Sequence, residues 1–127
     1  MKILIVDDDE FFRKFYASKL QESGFETDEA GDGVEGLTKI KAQKPDIVLL
    51  DMIMPNKDGF AVLRELHQDT GLSSIPVLVF SALGQEQDVQ KAKELGARGY
   101  VNKSTFDFDA MLKTIFQTVP LPADKGS

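Results

Sequence analysis

Acidic residues collect at two places in the chain: Asp7-Asp8-Asp9 directly after the apolar run Lys2 to Val6, and Asp51 directly after Ile47 to Leu50. Ser81 follows a third run, Val77 to Phe80, and Lys103 comes just after a fourth, Gly99 to Val101, which holds Tyr100. If these runs are parallel strands, their ends meet at one sheet edge, and carboxylates, a hydroxyl and an ammonium gather there. Such a set suits divalent metal and phosphoryl chemistry. Carboxylates that share a pocket repel one another and need a cation. Mg²⁺ meets that need, because it takes oxygen ligands, keeps several waters and is usually held by one or two carboxylates plus phosphate oxygens.

Asp51 has little local structural work to do. The segment Met52-Ile53-Met54-Pro55 separates it from the next helix, expected near Asp58-Gly59, and a carboxylate so placed can act as a nucleophile and form an aspartyl-phosphate. A lysine at the same edge neutralises phosphoryl oxygens as a point charge, and a hydroxyl donates to one. Taken singly, Ser81 reads as a helix cap and Lys103 as a surface lysine; together they favour the site. Asp9 or Glu10 is expected to cap the first helix, where an acid favours the dipole.

Five helical segments separate the apolar runs. Phe12, Phe15, Tyr16 and Leu20 recur at helical spacing, with Gly24 where a C-terminal cap is expected. Val34, Leu37 and Ile40 mark a second helix, and Phe60, Leu63 and Leu66 a third that closes at Gly71. Val89, Ala92 and Leu95 before Gly96 mark a fourth, and Phe108, Met111, Leu112, Ile115, Phe116 and Val119 form the stripe of a fifth. A weaker alternating run at Phe25 to Ala30 completes five strands. Strict strand–helix alternation predicts an α/β, three-layer doubly wound (βα)5 fold with a five-stranded parallel sheet. Apolar central strands agree, since strands buried on both faces lose their in–out alternation. In such sheets the ligand crevice lies beyond the carboxyl ends of the strands.

At 127 residues the chain is the size of one domain, expected over residues 1–119 with a flexible tail or linker at 120–127. The net charge of -6 argues against direct nucleic-acid binding, which needs surplus Lys and Arg. The absence of cysteine excludes disulfides, thiolate zinc sites and thiol nucleophiles. No apolar run approaches membrane-spanning length, and the segment after Met1 is too short for a signal peptide's apolar core. A cytoplasmic protein is expected, with no membrane contact.

The set Ile5-Val6-Asp7-Asp8-Asp9, Leu50-Asp51-Met52-Ile53-Met54-Pro55 with Asp58-Gly59, Ser81-Ala82, and Gly96-Ala97 with Gly99-Tyr100 and Lys103 resembles the receiver domain of bacterial two-component response regulators. The resemblance covers residues 1 to about 119, in order and at family spacing, and implies strand order 2-1-3-4-5. It implies that Asp51 accepts a phosphoryl group from a sensor histidine kinase or a histidine phosphotransfer protein. Asp8, Asp51 and the backbone carbonyl of Ile53 would bind Mg²⁺, with Asp7 helping through a water. Lys103 would pair with the phosphoryl group. Ser81 would hydrogen-bond to it, and Tyr100 would turn inward as the switch that controls a downstream effector. Such a domain catalyses its own phosphorylation and dephosphorylation without otherwise being an enzyme.

Three positions depart from the family pattern. Ser104 follows the lysine where proline is usual, and a cis bond before a non-proline residue costs about 2.5 to 4 kcal/mol. Ile53 puts an apolar side chain where a polar one would position the attacking water, and Ser81 replaces threonine. Other readings are an unphosphorylated binding module, a Mg²⁺-dependent phosphatase and a flavodoxin-like carrier. The phosphatase needs a second aspartate at position 53, the carrier a Ser/Thr/Gly-rich loop after the first strand, and both are missing. Phe11, off the first helical stripe, suits docking of a phosphodonor helix.

Overall fold

The computed structural model describes residues 1–54, 56–81, 86–102 and 108–118. Five strands, β1 (Lys2–Val6), β2 (Glu26–Ala30), β3 (Ile47–Leu50), β4 (Val77–Ser81) and β5 (Gly99–Asn102), alternate with five helices, α1 (Glu10–Glu22), α2 (Gly33–Gln43), α3 (Gly59–Gln68), α4 (Glu86–Glu94) and α5 (Phe108–Thr118). All neighbouring strands pair in parallel, in the order β2-β1-β3-β4-β5, as expected.

The sheet separates two cores. Leu4, Val6, Val48, Leu50, Val77 and Val79 pack with α2, α3 and α4. Ile3, Ile5, Ile47, Leu49, Leu78 and Phe80 pack with α1 and α5. Alternate residues of one strand therefore serve opposite cores, as a period of two requires. β3 and β4 are buried throughout.

Two helices present faces other than those their apolar spacing predicts. In α1 the buried residues are Tyr16, Ala17 and Leu20, while Phe15 is 40% exposed and stacks on Phe11. The small Ala17 lets the helix approach the sheet, which turns Arg13, one turn earlier, toward the interior and Phe15 outward. In α2 the buried residues are Gly33, Gly36, Leu37 and Ile40, and Val34 is half exposed. A Cβ at position 36 would lie 2.9 Å from Val6 Cγ1, and one at position 33 would lie 2.2 Å from the Lys57 carbonyl oxygen. The absence of side chains makes that contact.

α3 stops at Gln68, short of the expected Gly71. Asp69 ends it by accepting from the N–H groups of Gly71, Leu72 and Ser73, and Leu72 carries the core on into the turn. Gly24 and Gly96 adopt positive φ at the ends of α1 and α4, as their cap positions predict. Val119 and the tail at 120–127 lie outside the described residues, as do Lys103 and Ser104 and hence the peptide bond between them. Among the described residues no helix is long and apolar enough to cross a membrane.

Candidate acidic pocket at the carboxyl edge of the sheet

Register builds the pocket. Val6 of β1 is the partner of Leu50 of β3, so Asp7 and Asp51 leave adjacent strands at the same level. The Asp51 N–H donates to the Val6 carbonyl at 2.9 Å, and the Asp7 N–H donates to the Ala30 carbonyl at 3.0 Å. With Asp8 they offer three carboxylate oxygens within 4.8 Å of one another. Asp7 is 2% exposed and Asp51 7%, whereas Asp8 faces solvent. Two buried acids and one open one form a hard-oxygen site with an accessible side, which fits a divalent cation that retains waters.

Backbone amides orient two of these carboxylates. Asp9 N–H donates to Asp7 Oδ1 at 2.9 Å, and Met52 N–H donates to Asp51 Oδ1 at 2.8 Å. Asp9 itself caps α1 by accepting from Phe12 N–H at 3.2 Å, which separates its role from those of Asp7 and Asp8.

The loop after Asp51 is anchored at several points. Met52 and Met54 point into the core, and Ile53 between them is 55% exposed. Gly59 N–H donates to the Met52 carbonyl at 3.0 Å, and a Cβ on Gly59 would lie 2.4 Å from the Asp51 carbonyl oxygen. Only glycine fits there. Asn56, at φ +68, donates from Nδ2 to Asp32 Oδ2 at 2.9 Å, linking the loop to the cap of α2. Hydrogen bonds from the Glu35 backbone N–H and the Asn56 amide hold the Asp32 carboxyl below the usual carboxylate range.

Ser81 ends β4 fully buried, and its partner in β5 is Asn102. Lys103 is next in the chain, outside the described residues. Tyr100, half-buried in β5, is the strand partner of Val79, two residues before Ser81. Burial raises the Tyr100 pKa; Asp88 and Asp51 push the same way, and the Ser81 hydroxyl opposes them. On the other side of the pocket burial raises the Tyr16 pKa further, and the charges of Asp7 and Asp9 add to it. Tyr16 also meets Phe80, the residue before Ser81, edge-to-face at 4.7 Å.

Sequence spacing brought Asp7, Asp8, Asp51, Ser81 and Lys103 to this edge. The structure has the first four at the ends of β1, β3 and β4, Lys103 lies outside the described residues, and Tyr100 sits further back in β5, paired with Val79. Spacing missed the supports Arg13, Glu29, Asp32 and Asn56.

A family model described as response regulator receiver domain matches residues 3–116. The chain is 36% identical over 114 residues to the dual master transcriptional regulator RpaA of Synechocystis, covering 90% of this chain and 47% of that protein. It is 37% identical over 114 residues to the protein PilH of Pseudomonas aeruginosa, covering 90% of this chain and 93% of PilH. Thus it spans about half the length of RpaA and nearly all of PilH. Among solved structures, a chain of the CheX–CheY–BeF3–Mg²⁺ complex from Borrelia burgdorferi superposes with TM-score 0.86 at 32% identity, covering 92% of this chain and 87% of that one.

The chain has two tyrosines, so alkaline titration followed by ultraviolet absorbance tests this electrostatic picture. Both should ionise above the ordinary value of 10.0, Tyr16 last, and Tyr16→Phe should abolish the later transition. The neutral phenols are favoured by folding, so their contribution to stability is complete below the ordinary value and lost as pH rises through the folded values. A native-state transition at the ordinary value for either tyrosine would contradict it.

Proposed function

The chain belongs to the response regulator receiver domain family, and from that premise we propose that it is a cytoplasmic phosphoacceptor switch whose acceptor is Asp51. The observation that carries this reading is the buried Asp51 carboxylate at the end of β3, within 4.8 Å of Asp7 and Asp8. The donor is a sensor histidine kinase or a histidine phosphotransfer protein. An Asp51 carboxylate oxygen attacks the phosphorus of the donor's phosphohistidine. The new O–P bond forms as the P–N bond breaks, and the imidazole nitrogen keeps the electron pair.

Asp7, Asp8, Asp51 and the Ile53 carbonyl would hold Mg²⁺, and a bound ion would offset the negative charge of the carboxylates and the phosphoryl oxygens. Lys103 supplies the second positive charge; supporting this, it follows Asn102, the strand partner of Ser81. The phosphoryl group adds acceptor oxygens and negative charge. These would draw on the buried Ser81 hydroxyl, whose residue pairs with Asn102 of β5, and so couple the pocket to β5 and a downstream effector. The domain occupies residues 1–119, and it makes no direct contact with nucleic acid or membrane.

The donor docks beside the pocket on α1. Phe11 is 75% exposed and stacks parallel to Phe15, ring centroids 6.4 Å apart, and Lys14 lines the same concavity. Exposed aromatic anchors of this kind concentrate binding energy in an interface.

Three experiments test these assignments. With Mg²⁺ and acetyl phosphate, mass spectrometry should find one acid-stable, base-labile phosphoryl group on the wild type and none on Asp51→Asn or after chelation. Equal labelling of wild type and Asp51→Asn sinks the reading, and multiple turnover of a phosphoester would support a phosphatase instead.

Ile53 leaves the attacking water unpositioned, so the phosphorylated protein should decay slowly. Ile53→Asn should shorten its lifetime about tenfold, equivalent to about 1.4 kcal/mol in the barrier; equal decay of the two proteins would count against it.

Phe11→Ala should slow transfer from the protein donor about tenfold, as loss of an interface anchor does, while labelling by acetyl phosphate stays unchanged. Equal slowing with both donors would place Phe11 in folding rather than docking.

A further inference from the structure

Arg13 projects from the inward side of α1, and its side chain is 16% exposed. Its guanidinium bridges two groups. Nη1 donates to the Asp7 carbonyl oxygen at 2.8 Å, and Nε donates to Glu29 Oε1 at 3.0 Å. Asp7 leads out of β1 and Glu29 lies in β2, so one side chain joins three elements at the root of the acidic pocket. The Asp7 peptide is thereby held from both ends. Its N–H donates to Ala30 and its carbonyl accepts from Arg13.

We propose that Arg13 is a positioning residue for divalent-cation binding by Asp7, Asp8 and Asp51, acting through the Asp7 carbonyl while Glu29 orients the guanidinium and offsets part of its charge. This rests on the reading of the pocket as a metal site. Charge alone would give Arg13 the opposite effect, because a cation beside the pocket repels another cation. The Glu29 pairing offsets part of that penalty, but Lys14 approaches the same carboxylate at 3.4 Å, so Glu29 is shared between two cations and some repulsion remains for the geometry to outweigh. A guanidinium offers donors in a rigid plane that can engage two acceptors at once, which a lysine ammonium cannot reproduce.

The consequence is sharpest for Mg²⁺. That ion demands near-ideal octahedral geometry at short distances, whereas Ca²⁺ tolerates irregular ligand sets. A small rotation of the Asp7 peptide moves the carboxylate of Asp7 and the chain leading to Asp8, and penalises Mg²⁺ first. Groups that orient metal ligands from outside the coordination sphere typically contribute 10- to 100-fold in affinity.

The test is calorimetric titration of the full chain with Mg²⁺ and with Ca²⁺, for wild type, Arg13→Met and Arg13→Lys, beside metal-free thermal unfolding. Arg13→Met should weaken Mg²⁺ binding about tenfold and Ca²⁺ binding clearly less; Arg13→Lys should fall between it and wild type, with the same ordering of the two ions. Unchanged or tighter Mg²⁺ binding by Arg13→Met would overturn the proposal, since removal of a charge alone predicts tightening. Equal weakening for both ions would overturn it too, as a general structural effect. Should Arg13→Met fail to fold, the Mg²⁺ to Ca²⁺ ratio in Arg13→Lys decides by the same criterion. Wild type that binds no Mg²⁺ would defeat the metal-site reading itself, an outcome separate from a wild type that binds and an Arg13→Met that binds equally well.

Discussion

The parallel register of β1 against β3 holds like charges together, and the pocket depends on it. Two unit charges at the 4.8 Å limit of the carboxylate cluster repel by about 3 kcal/mol at an effective dielectric of 20. Against this stand strands buried on both faces, where each large apolar side chain contributes about 1.5–3 kcal/mol by leaving water. A slip of one residue would exchange the Ile3 and Ile5 set with the Leu4 and Val6 set and misdirect both cores. The cores therefore fix the register, and the register places the acids where electrostatics alone would not.

The helices reduce that cost. In a parallel α/β sheet each helix starts at the edge where its strand ends, so the positive ends of α1, α2 and α3 face the same side as the pocket. Each is capped by an aspartate: Asp9, Asp32 and Asp58 accept from Phe12, Glu35 and Ala61 at 3.2, 2.8 and 2.9 Å. Neighbouring acids in the sequence thus do different work. Asp9 opens a helix, while Asp7 and Asp8, two positions and one position earlier, join Asp51 in the carboxylate cluster. The Asn56 amide bonded to Asp32 extends the arrangement by anchoring the loop that carries Ile53.

The strands, their order and the acids at their ends were legible because burial on both faces writes continuous apolar runs, and because a charged residue closing such a run is conspicuous. The helix faces were less so. Apolar spacing counts side chains, whereas α2 meets its neighbours through Gly33 and Gly36, whose contribution is the absence of a side chain. Phe15 looked like core for the same reason, until the small Ala17 set the approach of α1. Arg13 was unreadable as part of the site because its partners are a backbone carbonyl and a residue of β2, neither of which sequence spacing reveals. The end of α3 was misplaced because Asp69, a side chain acting on the backbone beyond it, stops the helix before Gly71.

Rigidity is unevenly distributed around the pocket, and the unevenness suits a switch. β1 beyond Lys2, and all of β3, are buried, and the Asp7 and Asp51 amides are tied into the sheet; that half holds the charges in fixed geometry. On the other half Ser81 is buried but β5, including Tyr100, is only partly so at every position. Elements with less buried surface open and shift at lower cost. On the proposed reading, a group arriving on Asp51 would meet a rigid side that carries Asp7 and Asp8 and a compliant side that carries Ser81. Its differential interaction with two arrangements of that compliant side would set how far the equilibrium moves. Binding precision and conformational response are thus assigned to opposite sides of one carboxylate.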